Sequence, residues 1–376
     1  MTSPATAGQE APPVAEAGTA GRSYPVAVIP GDGIGPELVA AALAVLDAAA
    51  AAFGFTLDVT QVSAGAGAYQ RDGTAMTAQA LETVRQARAT LKGPVGLPEV
   101  RRPDGTEAGV LGGVLRGGLD LYAGVRPVQL LPGVPGRLVA EPGSIDYVIV
   151  RENTEGLYLS RGKAVGNRHA MSDTLLVTRA GCERISRFAF RMARQRGGAP
   201  ADGVRRVTLA DKANVLGSMY FFRQVFTEVA AEFPDVAAEC LYIDAVAQDL
   251  VMRPEHFDVI VTENMFGDIL SDLGGGTVGG VAMCPCGNLG DDAAYFEPVH
   301  GSAPALAGQG TANPLSQILA AAMLLDYVGE QAAGGRIREC IRAGLAGGAI
   351  VIKADGTAAG GPEAVAGAIT GLIQRG

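Results

Sequence analysis

The run Tyr24-Pro25-Val26-Ala27-Val28-Ile29 breaks at Pro30-Gly31-Asp32-Gly33-Ile34-Gly35-Pro36-Glu37 and continues, from Leu38 to Ala52, in strong helix formers at helical spacing. Strand, glycine turn and helix in that order open an α/β domain, because a strand buried on both faces needs helices to cover it. The alternation returns downstream. Strand-like runs at Tyr147–Val150, Val207–Leu209 and Val259–Thr262 alternate with helical stretches over Arg179–Arg194 and Gly217–Phe233. A mixed or parallel sheet with helices on its faces is expected. No internal repeat interrupts this pattern, and the glycine clusters fall between periodic segments, where turns and close approaches belong.

With 376 residues the chain has room for two domains, and 48% hydrophobic with 18% charged residues fits a globular enzyme. A formal net charge of −9 argues against nucleic acid as a partner, since phosphate binding needs a basic face. A small anionic substrate needs only a few local arginines and stays open. Cys182, Cys240, Cys284, Cys286 and Cys340 form an odd set without framework spacing, which points to a reducing, cytoplasmic setting. Cys284-Pro285-Cys286 lacks a second pair to complete a zinc site, so both are read as ordinary buried residues. No apolar run of roughly 18 residues is expected to cross a membrane, and no basic-then-apolar leader opens the chain. Residues 1–22, rich in Ala, Pro, Gly and Glu, read as a disordered tail.

The first glycine turn lacks a complete dinucleotide fingerprint, because Pro36 stands at the third glycine position and Asp58 lies inside a strand-like run. A tight structural turn is expected there. More informative is Glu263-Asn264-Met265-Phe266-Gly267-Asp268-Ile269-Leu270-Ser271-Asp272. Asp268 and Asp272 at i and i+4 share one helix face, and like charges that close are unfavourable without a cation between them. Hard oxygen donors of this kind suit Mg²⁺ or Mn²⁺. The alternative is a helix whose acids face the macrodipole. Asp244 follows a strand edge, and Lys212 stands just past the strand Val207–Leu209, either as a general-base candidate or as a surface lysine. Arg116, Arg126 and Arg151 offer forks for carboxylates. The other reading of these arginines is surface salt bridges with Asp120, Glu152 and Glu155. Phe296 to Pro304 is a Gly/Pro-punctuated loop carrying His300, followed by Asn313-Pro314 and an apolar helix from Leu315 to Tyr327. Backbone groups of such a loop can wrap a cofactor, though an ordinary surface loop has the same composition. His169 and His256 are read as structural or exposed.

Six segments in order (GDGIGPE, LDLYAGVRP, RENTEGLY, DKANVL, NMFGDILSD and EPVHGSAP) resemble the β-decarboxylating dehydrogenases, which act on isocitrate, homoisocitrate, 3-isopropylmalate or tartrate. The resemblance runs from about Val26 to Glu330. It implies a two-domain α/β fold that is not a Rossmann fold, a mixed sheet flanked by helices. The implied cofactor-binding domain takes residues 23–122 with 280–376, and the substrate and dimerisation domain takes 123–279. It further implies that Arg116, Arg126 and Arg151 hold the malate carboxylates, with Asn214 in the same site. Asp268 and Asp272, with Asp244 of a partner subunit, would ligate Mg²⁺ or Mn²⁺. Lys212, also from the partner, would take the hydroxyl proton, and Tyr158 would protonate the enolate carbon. Glu297, His300, Gly301, Ser302, Ala303, Pro304, Ala305 and Asn313 would line the cofactor site. A homodimer with shared sites follows, interlocked through an arm at Leu159–Thr178.

Two departures stand out. Before Arg116 the family places the residues that read the C3 substituent, and here Val110, Gly112 and Gly113 stand in that stretch. No serine disposes the site to isocitrate, and the glycines remove volume where leucines pack around isopropyl. The expected substrate is of the homoisocitrate or 3-isopropylmalate type, with a bulkier 3-substituted malate as the alternative. After Pro304, Ala305-Leu306 replaces both the ribose-binding aspartate of NAD members and the lysine-tyrosine pair of NADP members. Without a cation there, NAD is expected over NADP. A non-catalytic regulatory subunit or a binding module for citrate-like acids predicts lost site residues, and all are present.

Overall fold

The computed structural model describes residues 21–103 and 105–375. The tail expected over residues 1–22 lies outside them except at its end, and there the boundary is corrected. Arg22 opens the first strand, donating to Glu330 at 2.9 Å and to the Phe53 carbonyl at 2.7 Å. In chain order the elements are β1 (Arg22–Ile29), α1 (Gly35–Phe53), β2 (Phe55–Gln61), α2 (Ala66–Asp72), α3 (Ala78–Gln86), β3 (Ala89–Lys92), β4 (Ala123–Gln129), β5 (Asp146–Glu152), β6 (Val165–Asn167) and β7 (Ala170–Ser172). Then come α4 (Arg179–Gln195), β8 (Arg206–Asp211), α5 (Gly217–Ala230), β9 (Ala237–Tyr242), α6 (Ile243–Met252), β10 (Val259–Thr262) and α7 (Asn264–Thr277). The chain closes with β11 (Pro285–Leu289), β12 (Ala294–Pro298), α8 (Leu315–Val328), α9 (Gln331–Ala346) and α10 (Gly361–Gln374).

Ten strands form one sheet in the order β2-β1-β3-β12-β11-β4-β5-β10-β8-β9. Its two wings are parallel, and they meet through the antiparallel centre β12-β11-β4-β5. The wing at β1 is built from both ends of the chain and the wing at β8 from its middle. This order is not that of a Rossmann sheet. Parallel strands are covered on both faces, so β10 is buried throughout, and its sequence VIVT is apolar except for one threonine.

The largest core runs under both wings, from Ile149, Ile260 and Leu270 of the β8 wing to Val45, Leu46, Ile318, Leu325 and Ile369 of α1, α8 and α10 in the β1 wing. In the β8 wing α4 buries Cys182, Ile185, Ala189, Phe190 and Ala193, a stripe at helical spacing. The Thr178 hydroxyl caps α4 by accepting from the Gly181 N–H. Phe190 stacks on Phe226 at 5.3 Å and on Phe233 at 5.0 Å, each pair adding about 0.5–1.5 kcal/mol beyond burial.

Three expectations shift. α1 starts a turn before Leu38, since Pro36 fits the first helical turn, where no N–H is needed. α5 stops at Ala230 instead of Phe233, because Pro234 disfavours helix at the preceding residue and Phe233 turns in to meet Phe190. α1 is also long and apolar enough, by length and composition, to cross a membrane, which corrects the expectation that no apolar run of roughly 18 residues exists. Its buried face is part of the core beneath the sheet, as in any helix covering a parallel sheet.

Candidate active site

The strands deliver their polar ends to one cleft. Arg126 lies on β4 and Arg151 on β5, paired antiparallel so that Gly124 faces Arg151. Helix α7 crosses directly behind them, and Gly267 sets how close it comes. A Cβ at Gly267 would stand 2.7 Å from both Cβ and Cγ of Arg151 and 3.2 Å from Thr262 Cγ2. Gly267→Ala is therefore expected to cost about 1–3 kcal/mol of stability, read as a fall in the denaturant midpoint. An unchanged midpoint would show that α7 can retreat freely.

This packing brings acids and arginines together. Arg151 donates from Nε and Nη2 to Asn264 Oδ1 at 3.0 and 2.8 Å, and from Nη1 to Asp268. Arg126 Nη1 reaches the same Asp268 oxygen at 3.2 Å, and the Tyr158 hydroxyl donates to Asp268 Oδ2 at 3.0 Å. The arginines lower the Asp268 carboxyl against the pull of its partial burial. Burial raises Asp272, with Asp268 adding to the effect. Burial and then the Asp268 charge raise the Tyr158 phenol, which keeps its proton at neutral pH.

Arg116 sits in a π-helical turn, Gly113–Gly117. Its Nε donates to the Tyr295 hydroxyl at 2.9 Å and its Nη2 to Glu297 at 3.1 Å. Glu297 also accepts from Lys92 Nζ at 2.5 Å and from Asn288 at 3.0 Å. Lys92, Arg116 and Arg126 hold the Glu297 carboxyl far below the usual range even though burial opposes them. The arginines are thus not surface salt bridges. The acids offered as surface partners are engaged elsewhere: Asp120 with Arg184, Glu152 with the Thr154 and Glu155 N–H groups, and Glu155 with Thr178. A Cβ at Gly113 would meet nothing within 4 Å, and one at Gly112 only Arg116 Nη1 at 4.0 Å. Among the described residues no neighbour fills that space. Val110 is half-buried beside it.

Behind the sheet's other end, Lys212 Nζ donates to Asp244 Oδ1 at 2.5 Å. Lys212 is 28% exposed and Asp244 68% exposed, and Asn214 is exposed beside them. Among the described residues no three His, Cys, Asp or Glu side chains stand close enough to hold a metal ion. Asp244 therefore does not join Asp268 and Asp272 within one chain.

The loop after β12 is held from below. The Ser302 hydroxyl donates to the Gly96 carbonyl, and the Ile34 N–H donates to the Ser302 carbonyl at 2.9 Å. The GDGIG turn is thus a structural clasp, and the Asp32 carboxylate takes the N–H groups of Ala66, Gly67 and Gly96. Ala303 adopts a left-handed φ of 37°, Pro304 opens a 3₁₀ turn, and Gly301 and Ala305 are exposed. His300 accepts no neighbour at Nε2, which is buried without a partner, and burial lowers its pKa. Asn313 is committed to structure, since its Oδ1 takes the Leu315 N–H at the start of α8. Cys284 and Cys286 are free and buried, as expected, and His256 meets Glu239 at 2.9 Å.

Sequence reasoning missed Lys92, Tyr295, Asn288, Asn264 and Ser271, whose hydroxyl oxygen accepts from Arg126 Nη1 at 2.5 Å. Lys92 carried one usable signal: it ends a parallel strand beside Gly93-Pro94, and ligands gather at such carboxyl ends.

The sequence matches the family described as isocitrate/isopropylmalate dehydrogenase over residues 25–355. It is 44% identical over 324 residues to an isocitrate/homoisocitrate dehydrogenase of Thermus thermophilus, covering 85% of this chain and 90% of that one. It is 42% identical over 324 residues to a 3-isopropylmalate/3-methylmalate dehydrogenase of Methanocaldococcus jannaschii, covering 86% and 91%. The crystal structure of isocitrate dehydrogenase from Methylococcus capsulatus superposes with a TM-score of 0.82 at 37% identity, covering 93% of this chain and 99% of that one. With the fold, the cleft and these relatives in agreement, the chain belongs to the isocitrate/isopropylmalate dehydrogenase family and is a β-decarboxylating dehydrogenase.

Proposed function

We propose that the enzyme oxidises and decarboxylates a 3-substituted malate of the homoisocitrate or 3-isopropylmalate type, with NAD as acceptor and Mg²⁺ or Mn²⁺ as cofactor. The observation that carries this reading is a cluster of buried cations: Lys92, Arg116, Arg126 and Arg151 converge on Glu297 and Asp268 in one largely buried seam. Arginine forks fit a carboxylate ligand. Arg126 Nε is buried with no partner, one further donor for such a ligand.

The donor chemistry fits a hard cation. Asp268 and Asp272 supply two carboxylates one turn apart on α7, and Asp244 of a second copy completes the set. A divalent ion there supplies Lewis-acid stabilisation of the enolate formed as CO₂ leaves. The unpartnered His300 Nε2 and the exposed Gly301, Ala303, Pro304 and Ala305 would hold a dinucleotide, and NAD bound there would supply the hydride acceptor. Arg116, Arg126 and Arg151 hold the two malate carboxylates, Lys212 of the second copy takes the hydroxyl proton, and Tyr158 gives its proton to the enolate carbon. Residues 23–122 with 280–376 form the cofactor domain and 123–279 the substrate domain, meeting where β11 pairs with β4. Val165, Met171 and Leu176, exposed on and beside the β6–β7 hairpin, suit a homodimer arm. The free cysteines suit the cytoplasm.

The test is reduction of NAD and NADP with Mn²⁺ across isocitrate, homoisocitrate, 3-isopropylmalate, tartrate, malate and bulkier 3-substituted malates. Turnover of homoisocitrate or 3-isopropylmalate that stops on chelation and prefers NAD is the expected result. Metal-independent turnover, or none of any malate, would overturn the proposal.

A further inference from the structure

One ion pair lies behind both Lys212 and Asp244. Strand β8 ends at Asp211, a fully buried residue adjacent to Lys212. Its carboxylate accepts Arg223 Nε and Nη2, each at 2.7 Å, and Oδ1 also takes the Ala213 N–H at 2.9 Å. Both residues flanking Lys212 are thus tied to one carboxylate. Arg223 comes from α5, and its guanidinium lies 5.0 Å from the ring centre of Tyr242. Tyr242 is the partner of Asp211 in the β8–β9 register and stands two residues before Asp244. The same ring lies 6.0 Å from Lys212 Nζ. Arg223 therefore touches the backbone anchor of the lysine through its fork and that of the aspartate through its face.

We propose that Arg223 is a positioning residue, a brace that fixes Lys212 and Asp244 relative to each other before they enter the site of a second copy. This rests on the reading of Lys212 as the base acting across the dimer. Neutralising Asp211 needs only a cation, which lysine also provides. Holding two oxygens and stacking on a ring together needs the planar fork of arginine. Lys212 itself is a flexible chain with one hydrogen-bond partner, so its reach depends on where its backbone is pinned.

Arg223→Lys keeps a cation against the buried carboxylate and so preserves the fold. Steady-state kinetics of this variant with saturating Mn²⁺ and NAD should show kcat lowered about tenfold to a hundredfold, with KM for the hydroxy acid little changed. Tyr242→Leu, which leaves the Asp211 pair whole, should lower kcat in the same way. Mixed dimers locate the effect. Chains carrying Arg223→Lys, combined with chains carrying Asp268→Asn, should regain one working site per dimer, because the intact Asp268 then meets a braced Lys212. The control combines Lys212→Met with Asp268→Asn. A silent control overturns the shared-site reading. A working control beside a silent Arg223→Lys mixture overturns the brace, as does kcat unchanged in both single variants.

Discussion

Lys212→Met is expected to lower kcat by about 10²–10⁴, the range for loss of a positioned general base, while the chain's fold is little changed. The two effects separate because of where the residue sits. Within a single chain its ion pair with Asp244 lies towards solvent, so it adds little to the stability of that chain's own fold. Methionine keeps the apolar stem and removes only the ammonium. Lys212 holds the Asp244 carboxyl below the usual carboxylate range, chiefly through their hydrogen bond. Without it the carboxyl rises toward its ordinary pKa near 4 and stays ionised at neutral pH. Asp244 therefore keeps its charge, and the lost activity belongs to the base. Steady-state assays beside thermal unfolding measure both halves. A kcat within about tenfold of the parent enzyme would sink the base assignment.

The fold was legible wherever local pattern decides it. β10 spans the expected Val259–Thr262, and α4 and α8 each extend one residue past the expected ends. Boundaries slipped near Pro36 and Pro234, and at β5 and β8, which each run one residue earlier and two later than expected, into their polar ends. The site was legible in part, because its acids and arginines lie in contiguous motifs. What the motifs leave open is which acid meets which arginine. Lys92 and Glu297 are 205 positions apart, and they meet because β12 inserts beside β3 in the sheet. Sheet order is a tertiary property, and no periodicity in either segment encodes it. The same holds for Arg151. Its sequence neighbours Glu152 and Glu155 looked like partners, yet the alternation of a strand turns Arg151 toward α7 and leaves Glu152 to its own turn. Asn313, expected at the cofactor by resemblance, also has a structural part, accepting the Leu315 N–H at the start of α8.

Arg151→Met is expected to give a folded protein without substrate affinity, and the balance of terms at Arg151 explains why. The guanidinium is 2% exposed, and burial with Arg126 and Arg116 nearby pushes it down to about 9. A base whose folded pKa is depressed costs stability at every pH below that value, so its charge opposes folding at neutral pH. Removing it relieves that cost. Against this, Asn264 loses both donors to its buried Oδ1, worth about 1–3 kcal/mol. Asp268 loses one partner but keeps Arg126 and Tyr158, and at 39% exposure it also has water. The two effects oppose each other, so the loss of stability should be smaller than the about 3–5 kcal/mol that removing one partner of a buried pair otherwise costs. Binding has no such cancellation. The substrate carboxylate loses a buried, oriented fork, about 2–5 kcal/mol, or roughly 30- to 5,000-fold in kcat/KM. Denaturant unfolding and steady-state kinetics on the same preparation decide the matter. A variant that unfolds would make Arg151 a structural residue, and one that keeps kcat/KM within about threefold would remove it from the substrate site.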